Sequence, residues 1–364
     1  MQERLVLDTT EFLNIIKQIF PIINLKGSKL SRGIVLKINK EDIKLIYPNE
    51  LYYFKSSINA ITNTFNEDID LYLDYQFIDK LSKFIPQTNL EIYRKDNIFY
   101  IKLTTGDLEI INPNLLDSEK KKVNYEYILE NTDVFKFKIG EIKNKLNSLY
   151  KITDFEIEKN KKMLNCNNSN ITFISPLLFA KSNFNFIDVK LEYKVLSYLN
   201  YLCNKLDDND IIEIYKVKSD IIQKYMITYK NTIFISNYPK CSEDIKLLSF
   251  FDNLPQFTII DYADLKYKLE YAESIIYSSG VVTFINRDSH LIGKIKLNNG
   301  NESEVEIPVF GELYLKTNQQ IRVNSKTLLV ALSSLDDNLE THFGLNNGIL
   351  YLINSDISLA LMTF

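Results

Sequence analysis

Tryptophan is absent from these 364 residues, and cysteine and histidine are scarce, at three and two. The missing tryptophan, beside plentiful Tyr, Phe, Ile, Asn and Lys, reads as AT-rich coding and says little about function. The cysteines say more. Cys166, Cys203 and Cys241 are odd in number, far apart and without a CxxC pair, which argues against a disulfide framework or a zinc site and predicts reduced thiols. His290 and His342 lack a companion at metal-ligand spacing, so no metal site is expected. A basic excess is also missing: 43 Lys and Arg stand against 47 Asp and Glu, a net charge of −4. That removes the footprint of a conventional nucleic-acid binder, and leaves room for a protein that meets DNA with a small part of its surface. No apolar run approaches the roughly 18 residues of a membrane span. The charged start, Met1-Gln-Glu-Arg, runs straight into a strand pattern, so neither a signal peptide nor a membrane association is expected. No GxxxxGK[ST], GxGxxG or GxSxG string is present. Asp207-Asp208 and Asp336-Asp337 follow helices and read as turns, while Asp68, Asp70 and Asp74 read as a solvent face. The expectation is no catalytic residue, no cofactor and no enzyme.

What is present is repetition. Six times a strand pattern meets a turn residue, an amphipathic helix and further alternating strands, with helix openings near Thr10, Tyr75, Glu141, Lys194, Tyr262 and Ser325. In the first copy Asp8, Thr9 and Thr10 offer N-caps. Phe12, Leu13, Ile15, Ile16, Ile19 and Phe20 then form an apolar stripe that Pro21 ends. The second copy caps at Asp74 and buries Phe77, Ile78, Leu81, Phe84 and Ile85, and the third buries Ile142, Leu146 and Leu149. The fourth aligns Leu191, Val195, Leu199, Leu202 and Leu206 on one helix face. The fifth caps at Asp261 and buries Leu265, Leu269, Ala272 and Ile276, and the sixth caps at Asn324 and buries Leu328, Leu329, Leu332 and Leu335. A helix with one apolar stripe must lie on a sheet, so the expected class is α+β. Polar 112–131 and the two-proline stretch 237–255 divide the copies into three domains of two copies each, 1–120, 130–240 and 255–364.

This order of elements resembles the DNA polymerase sliding clamp in its bacterial form, with three domains per chain. The best local strings are Ile321-Arg322-Val323-Asn324-Ser325-Lys326-Thr327-Leu328-Leu329-Val330-Ala331-Leu332, similar to that family's strand, Asn cap and helix, and Phe250-Phe251-Asp252-Asn253-Leu254-Pro255, similar to its interdomain connector. The connector lacks the family's arginines, and the Met-Pro-Met-like tail appears as Leu361-Met362-Thr363, which suggests a divergent clamp of cellular or viral origin.

The resemblance implies a head-to-tail homodimer ring of twelve copies, with helices lining the hole and antiparallel sheets outside. By the same resemblance it would encircle double-stranded DNA without regard to sequence, and would bind the DNA polymerase and clamp loader through a short hydrophobic peptide. Localisation would be the cytoplasm, or the host cytoplasm for a viral chain. DNA-facing cations would be Lys17, Lys26, Lys29, Arg32, Lys80, Lys83, Lys143, Lys145, Lys194, Lys205, Lys266 and Lys326. Consistent with this, the six helix windows carry a small excess of cations in a chain that is acidic overall. The peptide pocket would use Leu177, Phe179, Leu254, Pro255, Asn324, Thr327, Leu361, Met362 and Phe364. Edge strands Asp107–Ile111 and Gly280–Ile285 would join the copies, with Asp107, Leu108, Ile110, Ile275, Ile276 and Val282 at the joint. A clamp-like transcription coactivator and a virion structural protein remain alternatives on sequence alone.

Overall fold

The carboxylate of Asp8 accepts the N–H of Glu11 at 2.8 Å, and this cap turns strand β1 (Arg4–Asp8) directly into helix α1 (Thr9–Ile19). The computed structural model describes residues 3–23, 32–49, 51–84, 88–103, 106–110, 129, 132–155, 163–166, 170–174, 178–183, 189–217, 222–239, 251, 253–272, 274, 280–317 and 319–364. Among them the strand-to-helix step occurs six times.

After α1, Pro21 sits in a 3-10 turn, and β2 (Gly33–Ile38), β3 (Ile43–Pro48), β4 (Tyr52–Ile58) and β5 (Ala60–Asn63) follow. The second copy is β6 (Ile69–Asp74), α2 (Tyr75–Phe84), β7 (Asn89–Lys95), β8 (Ile98–Leu103) and β9 (Gly106–Ile110). The third is β10 (Thr132–Lys138), α3 (Ile139–Phe155), β11 (Met163–Cys166), β12 (Asn170–Ile174) and β13 (Leu178–Asn183). The fourth is β14 (Val189–Glu192), α4 (Tyr193–Lys205), β15 (Ile211–Val217), β16 (Ile222–Tyr229) and β17 (Thr232–Pro239). The fifth is β18 (Thr258–Ile260), α5 (Ala263–Tyr271), β19 (Gly280–Arg287), β20 (His290–Leu297), β21 (Glu302–Ile307) and β22 (Val309–Phe310). The sixth is β23 (Gln320–Asn324), α6 (Ser325–Ser334), β24 (Thr341–Asn346), β25 (Ile349–Ile353) and β26 (Ser358–Met362).

The helices bury the stripes their periodicity predicts: Phe12, Ile15, Ile16 and Ile19 on α1, Ile142, Leu146, Leu149 and Ile152 on α3, and Val195, Leu199 and Leu202 on α4. Several details differ from expectation: Leu13, Phe20 and Phe77 are only half-buried, and Ile85 and the side chain of Phe84 lie outside the described residues. Leu191 belongs to β14, because the helix begins two residues later, and Leu206 lies past its end, half-buried. On α6 the buried set is Leu328, Ala331 and Leu332, followed by Leu335, while Leu329 is only half-buried. On α5 the N-cap is Tyr262 without a side-chain bond, and Asp261 instead accepts from the N–H of Ala263 at 2.9 Å. Ile276 lies outside the described residues.

Among the described residues every strand pairing is antiparallel, in four sheets. Tight hairpins at Asp96-Asn97, Asp288-Ser289 and Asn347-Gly348 carry positive φ at both central residues, the turn that suits strand twist. The chain forms two compact units. The first, Met1–Glu141 with Ser197–Cys241, holds a five-stranded sheet ordered β5-β1-β7-β8-β9 and an eight-stranded one, β10-β15-β16-β17-β4-β3-β2-β6. The second, Ile142–Leu196 with Ser242–Phe364, holds a nine-stranded sheet, β14-β11-β12-β13-β26-β25-β24-β18-β22, and a four-stranded one, β21-β20-β19-β23.

Two seams inside these sheets join distant copies. In one, β4 pairs with β17, and Ser56 Oγ meets Thr232 Oγ1 at 2.9 Å in a buried contact. In the other, β13 pairs with β26.

Candidate functional site

The register of the second seam decides which residues share a face. Phe179 is opposite Ala360, which is opposite Tyr351; one step along, Leu178 is opposite Leu361, which is opposite Leu350. Because side chains alternate across a strand, these rows point to opposite sides of the sheet. The row of Leu178, Leu350 and Leu361 is fully enclosed. The other face carries a cluster of Phe179, Ile349, Tyr351 and Ala360, with Phe251, Phe257 and Ile353 packed over it.

The connector lies directly on this face. A Cβ at Gly344 of β24 would stand 2.7 Å from Pro255 Cγ and 2.9 Å from Phe257 Cδ1, so the close approach needs glycine. Asn346 Nδ2 donates to the Asn253 carbonyl at 2.9 Å and fixes the segment along the strand. Phe251 meets Tyr351 edge-on, and Phe257 meets His342 the same way. Burial among these rings pushes the Tyr351 phenol up.

Apolar surface remains open around this arrangement: Leu254 is 46% exposed, Met362 38% and Phe364 68%. The tail is held by backbone bonds, Thr363 N–H to the Gly348 carbonyl and Phe364 N–H to the Arg322 carbonyl, both at 3.1 Å. Of the expected pocket residues, Phe179, Leu254, Pro255 and Met362 thus gather around one apolar surface. Leu361 lies on the opposite, closed face at 0% exposure, a matter of register. Asn324 and Thr327 cap α6, the Asn324 side chain accepting the Thr327 N–H at 3.0 Å, and Thr327 is buried. Leu177 lies outside the described residues. Sequence reasoning missed Tyr351, Ile349 and Gly344; a glycine inside an alternating strand was the available signal.

The cations are of three kinds. Lys17, Arg32, Lys80 and Lys205 are exposed, as is Lys83, which pairs with Asp79 at 2.8 Å. Lys143, Lys145, Lys194 and Lys326 are half-buried. Lys266 is spent on an anion: its ammonium bonds both oxygens of Asp337, at 2.8 and 2.9 Å, and the Tyr262 hydroxyl donates to the same carboxylate at 3.0 Å. Burial works to raise the Asp337 carboxyl, but these bonds outweigh it and hold it below the usual range. Nearby, Lys151 Nζ donates to the Ser333 carbonyl at 2.9 Å, at the C-terminal end of α6. Lys26 and Lys29 lie outside the described residues.

The expected joint needs one correction. Among the described strands, β9 is an edge, as expected, with Asp107 exposed and Ile110 buried. Gly280–Ile285 is not an edge: β19 pairs with β20 on one side and β23 on the other, and Val282 is completely buried. The edges of that sheet are β21 and β23, and β23 runs straight into α6. Ile275 and Ile276 lie outside the described residues, as does the side chain of Leu108. Among the described residues no group of three or more His, Cys, Asp and Glu side chains could hold a metal ion. No described helix is long and apolar enough to cross a membrane.

No protein-family model and no curated protein sequence matches this chain. Solved structures match over its whole length. The beta subunit of DNA polymerase III from Thermotoga maritima superposes with a TM-score of 0.77, at 11% identity and covering 99% of both chains. The beta subunit from Borrelia burgdorferi gives 0.75 at 14% identity, covering 100% of this chain and 98% of that one. The DNA polymerase sliding clamp of Bacillus subtilis gives 0.74 at 12% identity, covering 100% and 99%.

The fold is that of the DNA polymerase sliding clamp. It is an α+β clamp fold from the first strand to the last, shared at a sequence identity near one residue in eight.

Proposed function

We propose that this chain is a sliding clamp: two copies close head to tail around duplex DNA and tether a replicative DNA polymerase for processive synthesis, with no catalysis of their own. The observation that carries the reading is the pair of unfinished end sheets. Within the chain, edges join as β4 with β17 and β13 with β26, giving sheets of eight and nine strands. Among the described residues, β9 at one end of the five-stranded sheet and β21 at one end of the four-stranded one have no further strand beside them. Joining β9 of one copy to β21 of the next covers these two edges, and two such joints close a ring. In this reading the chain has three domains, 1–120, 130–240 and 255–364, and the two seams are the junctions between them.

The exposed Lys17, Arg32, Lys80, Lys83 and Lys205, with half-buried Lys143, Lys145, Lys194 and Lys326, supply a loose attraction to phosphates. Lys266, held by Asp337, contributes least. The polymerase and the loader dock a short hydrophobic peptide on the face of Phe179, Tyr351 and Met362 beside Leu254.

Retention on DNA tests the ring. Once loaded, the protein should stay on a closed circular duplex and be lost when the same DNA is linearised. Equal loss from both forms refutes topological binding and leaves only surface attraction.

A further inference from the structure

Strand β9 reads Gly106-Asp107-Leu108-Glu109-Ile110, and β21 reads Glu302-Ser303-Glu304-Val305-Glu306-Ile307. These two edge strands hold five carboxylates and not one lysine or arginine. Alternation sorts the side chains. Ile110 on β9 and Val305 and Ile307 on β21 are buried, while Asp107, Glu109, Glu302, Glu304 and Glu306 are exposed. A sheet continued across the joint with its buried residues on one side brings all five carboxylates to its other side, on neighbouring strands.

Most of the lysine and arginine side chains nearby are engaged within each copy, and exposed Lys95 of β7, beside Asp107, is the exception. Glu302 is met by Lys294 at 3.2 Å and Lys296 at 3.1 Å, whose bonds hold its carboxyl low. Glu304 has Arg287 at 3.4 Å, and Glu306 has the His290 imidazole at 2.6 Å. On the other edge, Lys102 stands opposite Asp107 in register but is shared with Glu91 at 3.4 Å. Asp107 also accepts the Tyr93 hydroxyl, a bond that pushes the phenol up to about 12.

We propose that closure of this ring is opposed by like charge across its own joint, so that two copies associate more tightly as salt concentration rises. The proposal rests on the head-to-tail reading above. Mobile ions screen the carboxylates of β9 from those of β21, because the screening length shrinks from about 30 Å at 0.01 M salt to about 8 Å at 0.15 M. Attraction to DNA responds with the opposite sign, since salt weakens lysine–phosphate contacts. Retention on circular DNA therefore peaks at intermediate salt, between a joint that opens at low salt and an attraction lost at high salt.

The test is the dimer dissociation constant of the full chain, measured by sedimentation equilibrium from about 50 mM to about 500 mM NaCl, over which it should fall roughly ten-fold. Asp107→Asn with Glu109→Gln should tighten the dimer at low salt and flatten its salt dependence. Glu304→Gln with Glu306→Gln, on the other edge, should do the same. A dimer that loosens with salt, or whose salt response both variants leave unchanged, overturns the inference and leaves the ring standing. A chain that stays monomeric at every salt concentration and in both variants overturns the ring reading and this inference with it.

Discussion

Leu361 and Met362 are adjacent on β26 and face opposite sides of the sheet, so truncating each to alanine separates the core from the proposed docking face. Leu361 is fully enclosed between Leu178 and Leu350. Its removal should cost about 3 kcal/mol, within the 2–5 kcal/mol range of buried leucines. For a unit of this size that is a fall of roughly 6–12 °C in melting temperature. Met362 has lost less surface to the fold, and Met362→Ala should cost below about 1.5 kcal/mol in stability. Peptide affinity should behave the other way. A fluorescein-labelled peptide with leucine and phenylalanine anchors should bind Met362→Ala with a loss of about 1–2 kcal/mol, five- to thirty-fold, and bind folded Leu361→Ala nearly as well as the parent. Melting curves and fluorescence anisotropy on both variants give the answer. If Met362→Ala melts as low as Leu361→Ala, or binds the peptide unchanged, the assignment of faces to functions is wrong.

Three further outcomes are expected. Ser56→Ala leaves the buried Thr232 hydroxyl without its 2.9 Å partner and should cost about 1–3 kcal/mol in a denaturant melt, part of which Thr232→Val in the same chain should restore. The Asp337 carboxyl is held low in the fold, so its contribution is complete at neutral pH and is lost as pH falls through its folded value; Asp337→Asn should flatten that acid limb in urea midpoints taken from about pH 6 down to about pH 3. Changing Lys80, Lys83, Lys143 and Lys145 together to Glu should weaken retention on circular DNA and shallow its salt slope, read by filter or bead retention across a salt series.

The local half of this structure was legible in the chain. Asp8 and Asn324 cap helices because an acceptor just before an amphipathic run has free N–H groups to satisfy, and that logic needs no knowledge of the rest of the fold. The apolar stripes of α1, α3 and α4 follow from the same short-range geometry. What stayed hidden depends on partners chosen at a distance. Whether Leu361 faces the core or the connector turns on a one-residue choice of register against Leu178, which local pattern does not supply. Gly280–Ile285 alternates like an edge strand, yet is flanked by β20 and by β23, the second of which begins some thirty-five residues later. Asp261 shows a smaller limit: the acceptor was recognised and its bond is made, but one residue from the cap.

The division of the middle third has a consequence for anyone who would take the protein apart. Of the strands between residues 130 and 240, β10 and β15 to β17 belong to the eight-stranded sheet, while β11 to β14 belong to the nine-stranded one. Excised at those bounds, this piece would leave the flanks of β13 and β17 bare, two long rows of donors and acceptors offered to any passing chain. Such a fragment is a nucleus for aggregates, not a module to be borrowed. Recombination that swaps thirds between relatives must therefore keep Leu178–Asn183 compatible with Ser358–Met362 and Tyr52–Ile58 compatible with Thr232–Pro239, so that inheritance acts on the whole chain at once.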